Sequence, residues 1–126
     1  MPTLNLRRAM LAAIALTVAA GASYTAALFA EHAKPEQVFK MTVKRFEYSL
    51  RDIRVKKGVP VVLEITSLDV PHGFNLPDFK VRADVLPGQV AHVRFVPDRT
   101  GTFTFRCDVF CGIGHEELDG SLTVTE

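Results

Sequence analysis

Cys107-Asp108-Val109-Phe110-Cys111-Gly112-Ile113-Gly114-His115-Glu116-Glu117-Leu118 holds both cysteines of the 126-residue chain, with a histidine four residues past the second. Two sulfurs and an imidazole thus fall within nine residues of one Gly-containing loop. Thiolate and imidazole select Cu(I), Zn or an iron–sulfur centre over Mg or Ca, because soft sulfur matches soft cations and hard cations want oxygen. The stretch reads as a metal loop, and three donors are one short of a closed shell.

The fourth donor is sought upstream, in Ser67-Leu68-Asp69-Val70-Pro71-His72-Gly73-Phe74. There His72 sits just past an expected strand end, between Pro71 and Gly73. Turn residues on both sides would hold its ring at a chain reversal, where it can face another loop. Other readings stay open on these residues alone. Cys107 and Cys111 suit a disulfide in an exported protein, and two Cys with two His suit a closed tetrahedral zinc site. His72 and His115 taken singly are also compatible with bystander loop histidines.

Outward from the loop the pattern is that of strands. Thr102 to Cys107 places Phe103, Phe105 and Cys107 on one face, so a single strand carries the first thiol to the edge of a core. Gln89 to Val96 alternates, with Ala91, Val93 and Phe95 on the core face and Val90, His92, Arg94 and Val96 opposite, which leaves His92 exposed. Val38 to Tyr48, Asp52 to Val55 and Val59 to Thr66 are rich in β-branched and aromatic residues, with Lys57-Gly58 as a turn. Asp98-Arg99-Thr100-Gly101 is another turn, and Gly120 opens a last strand, Ser121 to Thr125. Phe46, Phe74, Phe79, Phe95, Phe103 and Phe105 are the expected aromatic core. Short strands joined by Gly and Pro turns, with no amphipathic helix among them, predict an all-β sandwich.

The N-terminal thirty residues have a different character. Arg7 and Arg8 precede Ala9 to Ala30, 22 residues without a charge. A helix of ~20 apolar residues crosses a bilayer, and paired arginines stay on the cytoplasmic side. The expectation is a retained single-pass anchor over residues 1–30, a Pro35-containing tether over 31–37, and a functional domain over 38–126 on the periplasmic side. The alternative is a signal peptide cut near Ala20-Gly21-Ala22, which would release the domain to the periplasm.

Charge excludes one class of partner. The chain has 15 Lys and Arg against 14 Asp and Glu, and Arg7 and Arg8 lie in the leader, so the domain has no basic excess and no stripe for nucleic acid. Asp108, Glu116, Glu117 and Asp119 lie in or beside the metal loop, where Arg106 is the only nearby base in sequence. This acidic collar suits either steering of a basic redox partner or plain solvated loop charge. The sequence shows no nucleophile paired with a base and no open hard-metal site, so it reads as a binding or electron-transfer domain, with enzyme status open.

Four motifs together carry a family resemblance. Asp-Val-x-His-Gly-Phe at 69–74, Pro87-Gly88, Gly101-Thr102-Phe103-Thr104-Phe105-Arg106-Cys107 and Cys-x-x-x-Cys-Gly-x-x-His at 107–115 resemble, in order and spacing, the copper domain of cytochrome c oxidase subunit II over roughly residues 38 to 125. The resemblance implies a Greek-key, cupredoxin-like sandwich with a dinuclear CuA centre at one end. It also implies that Cys107 and Cys111 bridge two coppers, that His72 and His115 are the terminal ligands, and that the Val109 main-chain carbonyl is a weak axial contact. Electrons would come from a c-type cytochrome or small copper protein and pass to the haem-bearing membrane subunit of a haem–copper oxidase, of which this chain would be a non-catalytic part.

The chain departs from that pattern in three places. Leu118 stands where the family has the axial Met, and Met1, Met10 and Met41 are distant in sequence. There is no Trp to receive incoming electrons, and there is one hydrophobic segment where many members have two. The axial thioether is a long, weak bond that tunes potential, so the implied centre has an apolar or vacant axial position on one copper. The competing function is a periplasmic Cu(I) chaperone holding the metal through the two cysteines. Such carriers usually have a thioredoxin-like scaffold and a Pro after the second cysteine, where this chain has Gly112. A third reading, a structural domain that has lost its metal, conflicts with the presence of all four strong donors.

Overall fold

The computed structural model describes residues 34–126. The expected anchor or signal helix over residues 1–30 lies outside the described residues. Nine strands follow in chain order: β1 (Gln37–Lys44), β2 (Glu47–Tyr48), β3 (Asp52–Lys56), β4 (Val61–Ser67), β5 (His72–Leu76), β6 (Val81–Val85), β7 (Val90–Phe95), β8 (Gly101–Arg106) and β9 (Asp119–Thr125). Two single-turn 3-10 helices, Pro77–Phe79 and His115–Glu117, are the helical elements among the described residues.

The strands form two sheets, ordered β2-β1-β4-β7 and β3-β9-β8-β5-β6. β1 and β4 run parallel, as do β3 and β9, so each pair is bridged by a crossover that leaves and re-enters its sheet. This is the all-β sandwich that the strand pattern predicts. Alternation sets the packing: Ile53 and Val55 of β3 point inward while Asp52, Arg54 and Lys56 face water. On β7, Val93 and Phe95 are buried and Val90 is exposed, as the period-2 reading required. His92 also faces outward, 3.9 Å from Glu64.

The core lies between the sheets. Tyr48, Phe74 and Phe105 are fully buried, with the Phe74 and Phe105 rings 5.1 Å apart and Tyr48 edge-on to Phe105 at 5.2 Å. Burying each such side chain contributes roughly 1.5–3 kcal/mol. This aromatic group sits directly under the strand ends that carry the candidate metal donors.

Three expectations need correction. Val38 to Tyr48 is not one strand: the chain turns at Arg45-Phe46, and β2 folds back antiparallel on β1 through Val43↔Tyr48. Phe46 is consequently no core residue. It is 37% exposed and lies against the metal loop, while Phe79 and Phe103 are only partly buried. His72 is the first residue of β5, fully buried, and does not sit in an open turn. Its strand is short, and the Pro71-Gly73 flanks mimic a loop in sequence.

Candidate metal centre

β8 ends at Arg106 and delivers Cys107 to the end of the sandwich. The Cys107 amide donates to the Leu118 carbonyl (3.0 Å), which closes the base of the loop. Inside that closure the 3-10 turn His115–Glu117 begins after Gly114, whose φ of 102° is a backbone setting that suits glycine. The turn brings His115 Nδ1 to 3.6 Å from Cys111 Sγ. The carbonyl of Val109 faces Cys107 Sγ at 3.1 Å.

His72 arrives as the first residue of β5, directly after the facing loop over residues 68–71. The Ser67 hydroxyl donates to the Val70 carbonyl (2.5 Å) and accepts from the Asp69 amide (3.3 Å), and Asp69 Oδ1 accepts from the Val70 amide (2.7 Å). The same Oδ1 lies 2.7 Å from His72 Nε2. One donor atom each of His72, Cys107 and Cys111 then lie within 4.8 Å of one another, all three residues buried. With His115 beside Cys111, the five residues picked from sequence are brought to one end of the sandwich.

The fit to a soft metal can be tested on the chain itself. His72 Nδ1 is buried and has no hydrogen-bond partner. More than nine in ten buried polar groups find one, so an orphan nitrogen on a ring clustered with two thiols fits a role as a ligand. The two cysteines are not bonded to each other and are each 4% exposed. Burial, then the neighbouring Cys107, pushes the Cys111 thiol well up, so binding a cation as thiolates would release protons. Nitrogen, two sulfurs and a second nitrogen form a donor set suited to copper or zinc, and among the described residues no carboxylate joins the cluster.

Sequence reasoning missed the residues that hold this loop in place. Arg45, at the β1–β2 turn, donates from Nε to the Cys111 carbonyl (2.7 Å), and its amide donates to Asp69 Oδ2 (2.9 Å). Phe46 covers the loop so closely that a Cβ at Gly114 would lie 3.2 Å from its ring. Arg82 of β6 grips Asp108 through Nε (2.5 Å) and Nη2 (3.1 Å) and also reaches Asp84 (2.7 Å). Arg51 lies 3.6 Å from Asp119. The acidic collar is therefore half neutralised by bases that are remote in sequence, which corrects the reading of Arg106 as the only nearby base. Asp69, three residues before His72, was legible as spacing, whereas Arg45, Arg82 and Arg51 carried no local signal.

Leu118 is 1% exposed and packs in the core. Met41 lies on β1, buried and paired opposite Ile65.

Known proteins share this architecture. The cupredoxin-like domain family matches residues 9–124. Two forms of cytochrome c oxidase subunit 2 from Thermus thermophilus are each 38% identical over 81 residues, or 64% of this chain. The match spans 60% of the length of one and 48% of the other. Among solved structures, the periplasmic domain of subunit II of cytochrome oxidase from Bradyrhizobium japonicum superposes with a TM-score of 0.67 at 23% identity, covering 75% of this chain and 88% of that one.

Proposed function

The chain belongs to the cupredoxin-like domain family, and from that premise we propose that it is a membrane-tethered copper electron-transfer domain with a CuA-like dinuclear centre. The observation that carries the reading is the meeting of His72, Cys107 and Cys111 around a buried, partnerless imidazole nitrogen. Cys107 and Cys111 would hold the copper as thiolates, His72 through Nδ1 and His115 would supply the imidazoles, and the Val109 carbonyl would add a weak contact. Copper shared between two sulfurs would supply one-electron transfer at low reorganisation cost, because each change of charge is spread over two ions.

The protein's own task is rigidity. Asp69 fixes the His72 ring, Arg45 fixes the Cys111 carbonyl, and the sheets beneath hold both thiols, so the donors keep their places when charge changes. Leu118 offers no donor and would present an apolar side chain where the family has a thioether.

In this reading residues 1–30 anchor the chain in the cell membrane, 31–37 are the tether, and 38–126 work on the periplasmic side. If the leader is cut, the same domain is released to the periplasm. The electron donor is a c-type cytochrome or small copper protein, and the acceptor is the haem-bearing membrane subunit of a haem–copper oxidase. The buried sulfurs and the all-β scaffold favour this over a Cu(I) delivery role, which needs ready release.

Reconstituting the full chain anaerobically with copper tests the reading. Two coppers per chain and an EPR spectrum with one electron shared by both are expected. One copper per chain, colourless zinc held in preference, or a spectrum unaltered by Cys111→Ser would overturn it.

A further inference from the structure

We propose that Tyr48 is a positioning residue of the centre, holding Gly73 by its carbonyl so that the N–H of the same residue donates to Cys107 Sγ and thereby sets the electron density on that sulfur. The inference rests on the copper reading above and adds a residue and a hydrogen bond to it.

β5 pairs with β6 along its whole length, from His72↔Val85 to Leu76↔Val81, but with β8 only at Asn75↔Arg106. Before Asn75 the two strands part. At Gly73 the carbonyl accepts from the Tyr48 hydroxyl (2.7 Å), and the amide lies 3.3 Å from Cys107 Sγ. Both main-chain groups of one residue are thus taken by side chains, one from β2 and one from the metal loop.

The Tyr48 hydroxyl has little freedom. The residue is fully buried, with its ring edge-on to Phe74 at 6.2 Å and to Phe105 at 5.2 Å. From the other side the approach is fixed by what Gly73 lacks. A Cβ there would overlap Oδ1 of Asp108 and stand 3.1 Å from a Val109 methyl, and Asp108 is held in place by Arg82. Gly73 is therefore held between a phenol at its carbonyl and an ion-paired carboxylate against its Cα, with its N–H directed at sulfur.

A donor to a thiolate stabilises the more electron-rich, reduced state, and hydrogen bonds to cysteine sulfur tune copper potentials in this way. The phenol reaches the sulfur only through the Gly73 backbone, since the carbonyl it holds and the N–H on sulfur belong to the two peptide units that meet at that residue. Its loss should move the potential downward while the ligand set stays intact.

The test uses the full chain and Tyr48→Phe, which keeps the ring and removes the hydroxyl. In the metal-free protein, hydrogen exchange of the Gly73 amide, measured against that of Asn75 on the same strand, should rise about tenfold for one lost hydrogen bond. In the copper-loaded protein the potential should fall with copper content unchanged. Val61→Ala, in the core at the start of β4, is the control for a merely structural role, expected to lower stability and leave the potential in place. An unchanged Gly73 rate, or a potential shift no larger than that of Val61→Ala, overturns the proposal. In the unaltered protein the Tyr48 hydroxyl proton should exchange slowly and be visible by NMR, and its absence would overturn the proposal even if Tyr48→Phe does not fold. If the unaltered chain takes up no copper, the function proposed above fails and the tuning role with it, whereas the exchange measurement still decides whether Tyr48 holds the Gly73 peptide.

Discussion

Nε2 of His72 lies 2.7 Å from Oδ1 of Asp69, while Nδ1 of the same ring is buried without a partner. The carboxylate thus occupies one ring nitrogen, sets how the ring is turned and leaves the other nitrogen without a protein partner. Carboxylate-to-imidazole contacts of this kind orient metal-binding histidines, and removing the outer partner typically lowers affinity by about 10–100-fold.

Asp69→Ala should accordingly weaken copper binding within that range without changing the ligands. Competition with a Cu(I) chelator reads the affinity, and EPR reads the ligand set. An affinity equal to that of the unaltered chain would show that the ring holds its orientation by packing alone.

The same carboxylate gives a pH dependence to the metal-free fold. Partial burial pushes the Asp69 carboxyl up, but hydrogen bonds from the Arg45 amide, the His72 ring and the Val70 amide outweigh it and hold the group at about 2, against an ordinary 3.8. A depressed folded-state pKa stabilises the fold fully above the ordinary value, and that stability is lost as pH falls toward the folded value. Metal-free protein should lose stability between about pH 4 and pH 2, and Asp69→Asn should flatten that part of the curve. Denaturant melts at stepped pH distinguish the two.

Leu118 contributes to the loop through its main chain. Its carbonyl accepts from Cys107 (3.0 Å) and its amide donates to the His115 carbonyl (3.1 Å), and neither depends on the side chain. Leu118→Met is a volume-conserving swap, expected to cost under about 1.5 kcal/mol. Copper content should stay the same and the potential should shift as a thioether becomes available, as read by voltammetry and a thermal melt. Loss of copper would mean that the apolar side chain itself shapes the site.

The candidate loop stands out in sequence because its potential donors are local: Cys107, Cys111 and His115 fall within nine residues, and Phe103 and Phe105 mark the strand that leads into it. The β7 alternation was readable for the same reason. Val38 to Tyr48 misled because no Gly or Pro marks the reversal at Arg45-Phe46, and β-branched and aromatic residues continue through it. Pairings such as Arg82 with Asp108 or Tyr48 with Gly73 join residues on different strands, so no periodicity announces them. What the sequence left hidden is mostly what fixes the donors, since rigidity comes from contacts remote in the chain.

Phe46 shows what that hidden layer does. Its ring covers Gly112 and Gly114 while remaining 37% exposed, so it shields the loop more than it supports the core. Phe46→Ala should cost only about 1 kcal/mol of stability, near the centre of the usual range for single substitutions. Faster exchange of the Gly112 and Gly114 amides and quicker surrender of copper to a chelator are expected. A large drop in Tm with no change at the loop would reverse the assignment.

Electrostatic steering at this end of the molecule should be modest. Asp108 is matched by Arg82 and Asp119 by Arg51, and among the described residues Glu116 and Glu117 are the loop acids without an ion pair. Complementary fields raise association rates by roughly 10–1000-fold when a whole face is charged. Two acids beside the exposed apolar Phe110 and Ile113 should give a value near the lower limit. Stopped-flow electron transfer from a basic c-type cytochrome should therefore slow by about tenfold between low and physiological salt, and Glu116→Gln with Glu117→Gln should remove most of that dependence. A flat response in the unaltered protein would leave apolar contact as the basis of docking. A steep response surviving both substitutions would place the guiding charge elsewhere on the domain.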